Sequence, residues 1–458
     1  MSSLPHRLPT LVQGAPEAVG EEFSARVMHS YLVGVYLAVN AIQDVYLLVE
    51  GPDCAHMKTQ FVQGGHDWLS TLTSVSGFHR VSNTALHPSQ MAHSRESGLE
   101  TRLHTIAGHQ AVAAVMLTSM PMAFVTGADY ERLCRQESAV SGKCIAHVPG
   151  KSLSGDWLDG YAETLLALAK TIPIRRIPDK KNADVAIVGY LYDRNEQDHG
   201  ANIRHLRGLL ESAGLRCVSI WLEGQSFNTL ERVSEAGAIL SFPYGRKAAQ
   251  VLARRTGARC IECELPFGLD ATERWLRTVG SALDVEVDVA NTIDQQLSKV
   301  VPSLEWVIPF HFQGRRMAYV GDPYMAVGMK EIATMVGAEL AAAVITNPPH
   351  SCVGLAPRLQ GTELLVWPKQ QAMREFLHRT IANKHISLLV TNQHGVGVAD
   401  IPWLEIGYPC MYRHALYDCP FLGFQGLLSF VGMLANAQRQ HEVALAMIGH
   451  QARNSKRG

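Results

Sequence analysis

An α/β protein of three Rossmann-like domains with parallel sheets is what this sequence predicts, and three observations carry the prediction. Three separate regions repeat the order apolar strand, turn, amphipathic helix, which is how a parallel sheet is assembled. Helical stretches in these regions stop at glycines such as Gly214 and Gly337, as C-terminal caps do. The chain has 458 residues, more than one hydrophobic core ordinarily organises, so two or three domains are expected.

In the first region Asp44–Val49 reads as a strand running into the turn Gly51-Pro52-Asp53-Cys54. Ala111–Val125 supplies a further strand ending at Thr126-Gly127-Ala128-Asp129. In the second, Asp184–Tyr190 is a strand, Asn202–Ala213 a helix and Cys217–Trp221 the next parallel strand. The third begins at Arg315–Asp322, continues through a helix to Met335 and an apolar strand through Val344, and adds a strand at Ser387–Thr391. The expected limits are an N-terminal extension over 1–22, then domains over 23–180, 181–300 and 301–458, the last with a C-terminal helix. Linkers are expected at the basic, proline-containing Ile172–Lys181 and at Val300–Gly314, where the helical pattern breaks.

Composition removes several function classes. A net charge of -1 gives no general attraction to nucleic acid or to an anionic membrane surface. No basic segment followed by an apolar core opens the chain, and no run approaches the length of a membrane span, so a cytoplasmic protein is expected. Nine cysteines without an export signal argue for reduced thiols rather than disulfides. There is no G-x-x-x-x-G-K-[ST] loop and no G-x-G-x-x-G opening a helix after a strand; Gly395-Val396-Gly397 is a lone fragment. ATP hydrolysis and dinucleotide binding are therefore expected of another protein.

Open parallel sheets bind ligands beyond the carboxyl ends of their strands, where the strand order reverses. Cys54, Asp129, Asp193 and Asp322 all follow such strands. By itself Cys54 is either an ordinary thiol or a ligand. Cys260 and Cys263 lie three apart on an expected strand, so their side chains point to opposite faces and suit packing better than one shared metal. Among twenty histidines, His56 and His66 stand out, the latter as an acid that Asp67 could orient; the stretch His93–His109 reads as a polar helix face. Arg413, His414, Tyr417 and Asp418 form a polar loop before the last helix, either an exposed turn or one wall of a substrate cavity. As a wall, Arg413 would bind an anionic group and His414 donate a proton, with Ser241–Arg246 opposite.

Val49-Glu50-Gly51-Pro52-Asp53-Cys54-Ala55-His56 resembles the glycine-proline-cysteine turn of nitrogenase component 1 superfamily subunits, where the cysteine ligates an interfacial cluster. Pro121–Cys134, with its glycine-aspartate turn, and Leu265–Leu276 are similar to further family segments. Ile401–Pro409 and Pro420–Gly426 resemble the strand and loop before the family's long C-terminal helix, on the β-subunit side. These matches keep the family's order from Phe23 to Asn436. Positions of further cluster cysteines hold His79 or Arg80 and Met120, and those anchoring the family's catalytic cofactor fall near Phe242 and near Arg413 or His414.

The resemblance implies a nitrogenase component 1-like fold and a 4Fe-4S cluster shared with a homologous second subunit in a heterodimer or heterotetramer. Cys54 would be the metal ligand and Asp53 an oxygen donor beside it. Electrons would come from a separate iron–sulfur ATPase, the only partner to use ATP. His414, Arg413 and His66 are the expected catalytic residues, and the expected substrate is a tetrapyrrole or other unsaturated organic molecule rather than dinitrogen. Two alternatives stay open: a non-catalytic scaffold for metal-cluster assembly, and a metal-free small-molecule binding protein.

Overall fold

The computed structural model describes residues 25–53, 59, 79–87, 89, 96–193, 198–413 and 417–454, with backbone alone at 124–126 and 448–454. In the first region helix α1 (Tyr31–Asn40) leads into β1 (Val45–Glu50), and β2 (Val81–Asn83), α2 (Glu96–Ala107), β3 (Ala114–Ser119), α3 (Tyr130–Ser141), β4 (Cys144–His147) and α4 (Trp157–Thr171) follow. The strands pair in parallel in the order β2-β1-β3-β4. β1 and β3 are buried throughout, which is why they read as unbroken apolar runs rather than alternating ones. The strand expected over Ala111–Val125 is shorter: β3 stops at Ser119 and Pro121, which has no N–H for a ladder, opens a 3-10 turn through Thr126.

The second region holds β5 (Asp184–Val188), α5 (His199–Ser212), β6 (Arg216–Ile220), β7 (Ala238–Ser241), α6 (Arg246–Thr256), β8 (Arg259–Glu262), α7 (Leu269–Leu283) and α8 (Glu286–Glu305). Its parallel order is β6-β5-β7-β8. Val300–Gly314, expected as a linker, is largely helical. α8 runs on to Glu305 with Pro302 inside it, and Val307–His311 forms another turn of helix. Burial of Val300 and Leu304 anchors that last turn, outweighing the N–H bond that proline forgoes.

The third region contains β9 (Arg316–Gly321), α9 (Pro323–Met335), β10 (Glu339–Ile345), β11 (Glu363–Val366), α10 (Gln370–Lys384), β12 (Leu388–Thr391), β13 (Trp403–Glu405) and the long α11 (Gly423–Asn454). The order is β11-β10-β9-β12-β13, again parallel. Strand order reverses between β1 and β3, between β5 and β7, and between β9 and β12, so these crevices are where a ligand would be sought.

Helix α4 touches all three regions. Against α1 it packs at backbone distance: a Cβ on Gly34 would lie 1.8 Å from the Trp157 carbonyl oxygen, and one on Gly160 would lie 2.0 Å from that of Tyr31. Toward the second region Tyr161 donates to the Tyr190 carbonyl at 2.8 Å, and Arg255 donates to the carbonyls of Ala169 and Ile172 at 2.6 and 2.8 Å. Its N-cap is Asp156, which accepts from the N–H groups of Leu158 and Asp159 and, from the third region, from Asn347 Nδ2 at 2.6 Å. His350 meets Asp159 at 3.0 Å.

Two outcomes are expected. Gly160→Ala forces a methyl into a carbonyl and should lower stability by roughly 3 kcal/mol, measured by denaturant unfolding; an unchanged midpoint would show that the helices separate freely. The second concerns pH. Burial pushes the Asp156 carboxyl up to about 7 from an ordinary 3.8, against the lowering effect of Asn347. Folding therefore retains a proton that the unfolded chain loses, so this group's contribution is full below about pH 4 and declines as pH rises toward 7. Asp156→Asn keeps an N-cap and should flatten that part of the stability profile. Identical slopes for the two proteins would contradict the assignment.

Candidate functional site

At the reversal in the first sheet, β1 ends at Glu50 and the chain turns through Gly51, Pro52 and Asp53. Gly51 is held from two sides: its carbonyl accepts from Leu86 N–H at 2.9 Å and its N–H donates to Thr84 Oγ1 at 3.1 Å. A Cβ there would come within 2.9 Å of the Met120 sulfur, so any larger residue would push the Met120 side chain out of its place beside β1. Gly51 is buried, Pro52 half-buried and Asp53 exposed, and the chain emerges outward. Cys54, the candidate ligand, lies outside the described residues, as do His56, His66 and His414. Beneath the turn Tyr130 donates to buried Glu50, whose carboxyl burial pushes above its usual range. The Tyr130 ring stacks on His147 at 5.0 Å.

The residues at this edge decide what a cluster would find. Arg80 is buried and its guanidinium donates to the carbonyls of Val39, Ile42 and Val45 at 3.2, 2.8 and 2.9 Å, a structural role that ties α1 to β1. Met120 packs against Gly51. Among the described residues no group of three His, Cys, Asp or Glu side chains converges as a metal site. Burial pushes the thiols of Cys134, Cys263 and Cys352 up to about 12, so they stay protonated and make poor ligands. Cys260 lies half-buried within β8 and Cys263 buried just after it. The described residues at this edge thus supply no complete donor set for a cluster of their own.

The other two reversals are differently built. In the second sheet Gly189, at φ +91, approaches so closely that a Cβ would lie 2.5 Å from the Phe242 carbonyl oxygen and 2.6 Å from Gly245 N. Backbone fills that crevice. In the third, buried Asp322 caps α9, accepting from Tyr324 and Met325 N–H at 2.8 and 3.2 Å and from the Tyr244 hydroxyl at 3.1 Å. Burial raises its carboxyl to about 6. Between these two sheets lies a cavity of about 230 Å³ lined by Arg246, Glu264, Arg274, Tyr324, Glu331 and Arg358. Its charges are paired, Arg274 with Glu331 at 2.8 Å and Arg358 with Glu264 at 2.6 Å, while Arg246 meets Glu262 outside the lining at 3.4 Å.

The C-terminal loop occupies a different place. Arg413 lines a cleft of about 490 Å³ formed by Ile401–Glu405, Tyr417 and α11 from Met433 to His441. Asp418 is engaged with Arg204 of α5. The described linings of the two cavities share no residue, so Arg413 and the Ser241–Arg246 segment are not opposite walls of one chamber. Asp53 lines neither of them. Reading by residue type also missed Asn202, whose Oδ1 accepts the N–H groups of Phe421 and Leu422 at 2.7 and 2.9 Å and fixes the start of α11. It missed Asp156 as well, although Asp156 and Asp159 form a recognisable capping box.

Comparisons with known proteins agree with this architecture. The nitrogenase molybdenum-iron protein beta chain of Clostridium pasteurianum is 25% identical over 330 residues, covering 65% of this chain and 68% of that one. Light-independent protochlorophyllide reductase subunit N of Acaryochloris marina is 25% identical over 156 residues, 34% of this chain and 31% of that one. Alignments with the first beta chains matched span between 40% and 68% of their length. The solved structure of nitrogenase Cp1 at pH 6.5 superposes with a TM-score of 0.75 at 17% identity, over 91% of this chain and 93% of that one, a likeness of fold. The profile of one family, nitrogenase component 1 type oxidoreductase, matches residues 30–439, and the chain belongs to that family.

Proposed function

We propose that this chain is a β-like subunit of an ATP-dependent, nitrogenase-like reductase complex. In this reading Cys54 gives one thiolate to a 4Fe-4S cluster shared with a homologous second subunit, and a separate iron–sulfur ATPase delivers the electrons. The observation that carries it is the turn Gly51–Asp53 at the reversal of the first sheet, with Arg80 and Met120 committed to packing on either side. Soft, anionic thiolates suit iron–sulfur clusters, and such a cluster, when bound, supplies single-electron transfer at a potential its surroundings tune. The chain's own share is structural and electrostatic. Gly51 fixes the exit of the turn, Arg80 anchors β1 beneath it, and the buried Glu50 carboxyl, which accepts from the Tyr130 hydroxyl, is raised by burial close to the turn.

The same reading gives Asp53 the part of an oxygen donor beside Cys54, Arg413 that of an anion holder, and His66 and His414 those of proton donors. Kinship with a protochlorophyllide reductase subunit supports a tetrapyrrole or other unsaturated organic substrate.

Removing the thiolate is the direct test. In the anaerobically purified complex Cys54→Ala should lose most of its iron and the paramagnetic signal seen on reduction, with Cys54→Ser retaining a weakened share. Cys260→Ala and Cys263→Ala should keep both at wild-type level. Full iron and an unaltered signal in Cys54→Ala would remove the interfacial cluster from this chain.

A further inference from the structure

We infer that the cleft between β13 and α11 is a binding site for an aromatic carboxylate, anchored by the Arg413 guanidinium. This takes further the anion-holding part proposed above for Arg413 and does not depend on the cluster, because the described lining comes wholly from residues 401–441 and includes nothing from the first sheet.

Arg413 is half-buried, yet among the described residues none hydrogen-bonds or pairs with its guanidinium. A cation partly removed from water needs a partner, and burial pulls this one below its ordinary range while Cys410, Cys419, Glu405 and Tyr417 pull the other way. Among the described residues Glu405 is the one acid lining the cleft. It is wholly buried, and its two oxygens accept the N–H groups of Met411 and Tyr412, each at 2.8 Å. Those bonds fold the segment back so that the next side chain, Arg413, faces the cleft with its donor fork open.

The surroundings define the ligand. Trp403, Tyr417, Met433 and Ala437 give apolar and aromatic sides, while Asn436, Gln440 and His441 supply a polar rim. A volume of about 490 Å³ lies within the usual range for small-molecule sites. A planar guanidinium pairs bidentately with a carboxylate and equally well with a phosphate; the aromatic flanks Trp403 and Tyr417 favour the carboxylate of an aromatic acid.

The test uses 2-naphthoate as the probe, titrated into the anaerobically purified full chain with its co-purifying subunit, with 2-naphthamide and inorganic phosphate as controls. Saturable naphthoate binding is expected, weakened about tenfold or more by Arg413→Gln and by exchange of the carboxylate for the amide. Phosphate should not displace it at equal concentration. Because Arg413→Gln removes an unpaired cation, its thermal midpoint should not fall, which separates loss of binding from loss of folding. Binding should persist in Cys54→Ala, so failure of the cluster reading would leave this one standing. Naphthoate binding indifferent to Arg413→Gln, absent binding, displacement by phosphate, or dependence on Cys54 would each overturn the proposal.

Discussion

The packing of α4 against α1 is the constraint from which the rest of the molecule is positioned. Gly34 and Gly160 let the two helices meet backbone to backbone, with no room for a methyl group at either position. That contact fixes α4, and α4 in turn gives hydrogen-bond partners to all three regions: Tyr190 and Arg255 from the second, Asn347 and His350 from the third. Close helix contact alone would be nonspecific. The directional bonds at the ends of α4 are what convert it into a defined orientation of three sheets.

Three parallel sheets built on one plan end in three different crevices. In the first, Gly51 and its partners hold the chain so that it leaves the sheet toward the surface at Asp53. In the second, Gly189 and Gly245 bring backbone into contact and close the space. In the third, Asp322 is occupied with capping α9 and with the Tyr244 hydroxyl. An open parallel sheet offers a ligand position by topology, but the residues at each reversal decide whether it can be used. On that criterion the first crevice stands apart, its described chain running out to the surface at Asp53, and Arg413, which pairs with none of the described residues, lies in an edge cleft instead.

Much of this was legible in the sequence, for definable reasons. Strands buried on both faces appear as continuous apolar runs, so β1, β5, β9 and β12 could be located, and Gly214 and Gly337 marked the helix ends with positive φ of 76 and 71. What failed was whatever depended on tertiary contacts. Pro302 signalled a break that burial of Val300 and Leu304 overrode. Arg80 could be read only, with His79, as standing where the family holds a further cluster cysteine; its three carbonyl partners lie 35 to 41 residues away along the chain. The separation of Arg413 from the Ser241–Arg246 segment follows from how the second and third sheets pack, which no local pattern encodes.

The decisive measurement is the iron and sulfide content, with the electron paramagnetic spectrum, of the complex purified without oxygen alongside its homologous subunit, compared with this chain purified alone. One thiolate cannot hold a cluster by itself, so the complex should contain about four irons per subunit pair with a signal that develops on reduction, and the isolated chain should contain almost none. An iron-free complex, or an isolated chain that retains a full cluster, would contradict a shared interfacial site.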